Sequence, residues 1–82
     1  MNIIAHPEFN QSARDYHDAR SAALRDAERL FANHNPQSVL TDHRIRQVTG
    51  RDRATHAVQM PQGEIEFYVK NDEAHLVGFT MR

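Results

Sequence analysis

The stretch His56-Ala57-Val58-Gln59-Met60-Pro61-Gln62-Gly63-Glu64-Ile65-Glu66-Phe67-Tyr68-Val69-Lys70 decides the fold. His56, Val58 and Met60 alternate with Thr55, Ala57 and Gln59. Beyond the Pro61-Gln62-Gly63 turn, Ile65, Phe67 and Val69 alternate with Glu64, Glu66, Tyr68 and Lys70. A period of two sends one set to each side of a pleated strand, and a Pro/Gly turn between two such runs makes a hairpin. A second turn at Asn71 to Glu73 leads into Leu76 to Met81, which is apolar on both faces except for Thr80. That pattern suits a central strand. The C-terminal part is therefore expected to be a three-stranded antiparallel sheet.

Working back towards the N-terminus, the segment between Ser38 and Gly50 is ambiguous. Val39, Leu40, Ile45 and Val48 fit either a short helix beginning near Ser38 or the lead-in to a strand. It is read as a turn of helix followed by coil. From Gln11 to Ala32 there is no Gly or Pro, and Ala13, Tyr16, Ala19, Ala23, Ala27 and Leu30 recur at helical steps, with Leu24 and Phe31 widening the stripe. One long helix is expected there, capped by Asn10 or Ser12 and stopped by Asn33 to Pro36. Asn2 to Ala5 reads as a short strand that Pro7 ends. The expected class is α+β: a short strand, a long helix with room for a second short one, then the sheet, all within a single domain spanning 1–82.

The chain has 82 residues, 39% of them hydrophobic and 26% charged, which suits one hydrophobic core. Without cysteine there is neither a disulfide framework nor a thiolate metal site. The opening MNIIAHPEF lacks the character of a secretory signal, and no apolar run approaches the roughly 20 residues that span a bilayer. A cytoplasmic location without membrane association is expected. The net charge of −1 argues against indiscriminate binding to nucleic acid. The charge is uneven, however, with four Arg against two Asp between residues 41 and 58.

Six histidines (His6, His17, His34, His43, His56 and His75) show no paired spacing on one helix, so no metal site is expected. No glycine-rich phosphate loop or nucleophile elbow is present, and no cofactor is expected. The segment Asp42 to His56 carries the chemistry that remains. Its two imidazoles and four guanidinium groups suit metal-free RNA cleavage, in which one group takes the 2′-OH proton, arginines offset charge on the phosphorane and an imidazole protonates the leaving 5′ oxygen. The competing reading is a solvated loop whose arginines pair with Asp42, Asp52, Glu64 and Glu66.

At this segment the chain resembles the RelE/ParE superfamily of toxins from bacterial toxin-antitoxin pairs, and within it the YafQ-like branch of ribosome-dependent messenger-RNA endonucleases. The likeness runs through the opening strand with Pro7-Glu8-Phe9, the long helix, Asp42-His43, twelve intervening residues and His56 shortly after Gly50-Arg51, then the strand bearing Tyr68 and a last strand from His75 to Met81. The resemblance implies a RelE-like fold with His43 and His56 facing the scissile phosphate and Arg51 and Arg53 on the RNA backbone, and Arg44 and Arg46 of the same basic segment are further candidates for binding RNA. Gln59 and Met60 stand where that branch has an acid, and Thr80 and Arg82 where it has a late His; other branches carry a late Arg there, which gives Arg82 the part of a transition-state cation. Implied partners are a cognate antitoxin, the ribosome and its mRNA. The alternative on the same scaffold is a non-enzymatic inhibitor, ParE-like or phage-encoded, that binds a host protein or defence complex.

Overall fold

A computed structural model describes residues 1–12, 17–50 and 53–81. In chain order they form β1 (Asn2–Ala5), α1 (Pro7–Ser12), α2 (His17–Ala32), α3 (Pro36–Val39), β2 (Ile45–Gln47), β3 (His56–Met60), β4 (Gly63–Lys70) and β5 (Glu73–Met81). The strands make one five-stranded sheet in the order β1-β5-β4-β3-β2. β1 runs parallel to β5 and every other neighbouring pair is antiparallel.

The α+β class holds, and the three C-terminal strands form as their alternation requires. The sheet is larger than that alternation implies, because β1 joins it beside β5 and Ile45–Gln47 adds a strand where coil was expected. Three residues are too few to display a period, and β2 is specified by its neighbour: Arg46 pairs with Ala57, and the Gln59 N–H donates to the Arg44 carbonyl at 2.9 Å. Of the single helix expected from Gln11 to Ala32, the described residues show α2 (His17–Ala32) and, starting earlier than expected, α1 (Pro7–Ser12), with 13–16 between them outside the described residues. Pro7 begins α1, where a missing N–H costs nothing and a fixed φ suits the first helical residue. Ala13 and Tyr16 of the expected stripe lie outside the described residues. α3 forms, but from Pro36 instead of near Ser38, opened by Asn35, whose side chain accepts from the Gln37 and Ser38 N–H groups while the Ser38 hydroxyl accepts from the Asn35 N–H.

The core lies between α2 and one face of the sheet. Ala23, Ala27, Leu30 and Phe31 of α2 pack over Val58, Met60, Ile65, Phe67 and Leu76, and Phe9 of α1 completes the layer. Phe31 meets Phe67 edge to face with centroids 5.1 Å apart, and Phe9 meets Phe79 similarly at 6.4 Å. On β5 the alternation breaks: Leu76 pairs with Phe67 but Gly78 pairs with Glu66, so Val77 is the extra residue of a bulge. The bulge keeps Leu76 and Phe79 in the core while Val77 packs on the opposite face with Val48, Ala54 and Ala57. The β4–β5 hairpin turns through Asn71 and Asp72, both at positive φ, which is the two-residue geometry that matches strand twist.

Before β2, Asp42 organises its turn. Its side chain, 7% exposed, accepts from Arg44 Nε at 3.0 Å, Arg44 Nη2 at 2.8 Å and the Arg44 backbone N–H at 2.9 Å, with His34 Nε2 at 3.2 Å. The Arg44 side chain first, then its backbone N–H and His34, hold the Asp42 carboxyl well below the usual carboxylate range. The unfolded chain therefore takes up a proton before the folded one as the solution is acidified. This contribution is complete above pH ~4 and is lost as pH falls below it. Asp42→Asn is expected to lower stability by about 1–3 kcal/mol in urea melts at neutral pH, and the loss should shrink towards pH ~3.

Candidate functional site

On the sheet face away from α2, register places Tyr68 of β4 directly opposite His75 of β5. The two rings stack, 3° from parallel with centroids 4.7 Å apart. The parallel pairing of Ala5 with Leu76, extended by the His6 N–H donating to the Leu76 carbonyl at 3.0 Å, brings His6 alongside. Its Nε2 lies 2.8 Å from His75 Nδ1. Arg53, from the loop before β3, donates to the Tyr68 hydroxyl at 2.8 Å and to the Glu8 carboxylate, and its Nη2 lies 3.4 Å from His6 Nδ1. One aromatic, two imidazoles, a guanidinium and a carboxylate thus meet at a single point, drawn from β1's end, α1, a loop and two strands.

The contacts fix the hydrogen polarity of the neutral pair. A guanidinium only donates, so His6 Nδ1 accepts and His6 Nε2 carries the hydrogen that reaches His75 Nδ1. His75 Nε2 is then the protonated nitrogen. It is buried without a hydrogen-bond partner, in a side chain 12% exposed, and points toward Glu73 Oε1 at 3.7 Å. The arrangement is a hydrogen-bonded pair of imidazoles running inward from His6 to His75, with the Glu73 carboxylate close to its inner end but not bonded to it. The Glu8 backbone N–H in the opening turn of α1, and then Arg53, keep the Glu8 carboxyl below its ordinary range. Tyr68 and Glu8 raise the Arg53 guanidinium further, so the site keeps a fixed positive charge beside its imidazoles.

The residues singled out in the sequence fall in several places. Arg53 is in the cluster. His43 lies in the turn before β2, 92% exposed, with Nδ1 3.9 Å from Asp42 Oδ1. His56 is half-buried on the core-facing side, opposite Phe67, with Nδ1 2.9 Å from the Thr55 hydroxyl. Ile45 pairs with Val58 and Gln47 with His56, so His43 lies in the turn beyond one end of β2 and His56 is opposite the other end. No hydrogen bond or ring contact joins them. Arg44 is held by Asp42, and Arg46 by a two-pronged contact to Glu64 at 2.7 and 3.1 Å. Both guanidinium groups are raised by these carboxylates. Arg51 and Arg82 lie outside the described residues. Among the described residues no group of three or more His, Asp or Glu is placed to hold a metal, and no helix is long and apolar enough to cross a membrane.

His6, Glu8, Tyr68 and His75 were not singled out as a site. One signal was present: a two-residue turn at Asn71-Asp72 pairs Lys70 with Glu73, and counting back pairs Tyr68 with His75. Nothing local in the sequence announces that His6 joins them. Compared with known proteins, the chain matches no family model, and no curated protein or solved structure matches it significantly.

Tyr68→Phe removes the hydroxyl that accepts from Arg53 and keeps the stacked ring. It should cost about 0.5–1.5 kcal/mol in urea melts and free the Arg53 side chain, seen as loss of a distinct Arg53 Nε–H resonance by NMR.

Proposed function

We propose that the protein is a metal-independent RNA endonuclease whose active site is the cluster of His6, Glu8, Arg53, Tyr68 and His75. The observation that carries this reading is the direct His6–His75 contact with Arg53 beside it. Arg53 exchanges Glu8 for a phosphate and fixes the scissile group. His6 Nδ1 takes the 2′-OH proton, the 2′ oxygen attacks phosphorus, and the bond to the 5′ oxygen breaks as the Tyr68 hydroxyl supplies its proton. The products are a 2′,3′-cyclic phosphate and a 5′-hydroxyl. As His6 gains charge, its Nε2 hydrogen shifts towards His75, and Glu73 offsets the charge at the far end. An imidazole suits the first transfer because its ordinary titration lies near neutrality. Arg53 stabilises charge developing on the phosphorane.

With a net charge of −1, and with Arg44 and Arg46 committed to Asp42 and Glu64, the chain has little to draw a polyanion out of solution. RNA has to be presented to it by a larger particle. The ribosome serves that purpose in the YafQ-like toxins that the sequence resembles, and a type II toxin controlled by a cognate antitoxin is the corresponding biological assignment. The same neutralised arginines favour a second reading, a non-enzymatic inhibitor that binds a host protein through this Tyr- and Arg-bearing face.

Primer extension on mRNA with purified ribosomes separates the two. Cleavage is expected from the wild-type chain, with His6→Ala and His75→Ala each reduced about 10²-fold or more and His43→Ala unchanged. Full cleavage by the His6 variant, or none by the wild type, would sink the nuclease assignment.

A further inference from the structure

Beside the cluster lies a shallow depression of about 350 Å³ lined by Arg53, Thr55, Tyr68, Val69 and Lys70. Its volume is at the lower end of the roughly 300–1,000 Å³ range of small-molecule sites. Its composition is graded: the Tyr68 edge and Val69, from opposite sides of β4, give an apolar rim, Thr55 contributes a hydroxyl, and the cations Arg53 and Lys70 contribute positive charge. Lys70 is the chain's one lysine, exposed at the end of β4, and makes no ion pair with any described residue. Its cross-strand neighbour Glu73 is turned instead towards His75. Arg44, Arg46 and Arg53 each already hold a carboxylate, and Lys70 holds none among the described residues.

We infer that this depression is a subsite for the nucleotide adjoining the scissile phosphate, with its sugar and base along the rim formed by the Tyr68 edge and Val69 and the neighbouring phosphate on Lys70. The inference rests on the nuclease reading of the cluster and adds a binding position to it. Arg53 belongs to both places: in the nuclease reading it grips the reacting phosphate, and it also lines the depression. One face of Tyr68 is covered by His75 and the other by the Arg53 guanidinium, so the base meets the ring at its edge; such a contact reads no base identity, and the subsite supplies register along the strand more than base choice. The strand polarity follows from which neighbour is bound, and truncating the RNA on either side of the cleavage point identifies it.

The test is a ¹H–¹⁵N NMR titration with an uncleavable all-2′-deoxy tetranucleotide and, separately, with the corresponding dinucleotide, which has only one internucleotide phosphate. Binding of the tetranucleotide should shift the Thr55, Val69 and Lys70 amides. Lys70→Ala should weaken the tetranucleotide about fivefold, the size of a single exposed ionic contact, and leave the dinucleotide unchanged. Lys70→Glu should weaken the tetranucleotide further. In cleavage assays Lys70→Ala should raise KM with kcat preserved. Cleavage without shifts at these amides, or equal tetranucleotide affinity in wild type and Lys70→Ala, overturns the subsite and leaves the nuclease reading standing. Shifts and Lys70 dependence in a chain that never cuts RNA support the subsite and remove the reaction.

Discussion

The parallel pairing of β1 with β5 is the constraint on which the rest of the structure depends. It ties residues at opposite ends of the chain into one sheet, Asn2 beside Glu73 through Ala5 beside Leu76. A parallel neighbour requires a crossover, and the helical segment between β1 and β2 supplies it and covers one face. With α2 pressed onto that face through Phe31 and Phe67, the opposite face is left for chemistry. His6 is the first residue past β1, so the strand that closes the sheet also delivers the imidazole that meets His75.

Much of the architecture was legible because it is local. The alternation in His56–Met60 and Gly63–Lys70, and the turn chemistry of Pro61-Gln62 and Asn71-Asp72, carry their own periods, and the structure follows them. The stripe of Ala23, Ala27, Leu30 and Phe31 likewise announced which side of α2 is buried. Where structure depends on a partner, the sequence is silent. Ile45–Gln47 is a strand because β3 lies alongside it, and Asn2–Ala5 takes its place in the sheet from β5. The candidate site belongs mostly to this second kind: Tyr68 and His75 can be paired from their hairpin, but its histidines are 69 residues apart and meet through register alone.

The basic segment teaches a related lesson about charge. Four arginines close together in sequence suggest a surface for phosphate, yet Arg44 and Arg46 each fall within hydrogen-bond distance of a carboxylate that the fold provides. Asp42 is two residues from its partner and could be paired on sight; Glu64 is 18 residues from Arg46 and reaches it only because β3 separates β2 from β4 in the sheet. Arg53 is also paired, but with Glu8 on the surface beside two imidazoles, where an incoming anion can exchange with the carboxylate. Residue counts therefore overstate the positive surface, and position within the sheet decides which guanidinium stays useful.

The sheet is open, ending in β1 on one side and β2 on the other, and these are its two shortest strands, of four and three residues. An open margin is a template on which a foreign strand can grow, and the stability of such an adduct rises with the number of backbone groups it can engage. By placing its longest strands in the middle and its briefest at the rims, the molecule keeps an unclosed β layer while offering little purchase for fibril-like stacking of one copy on the next.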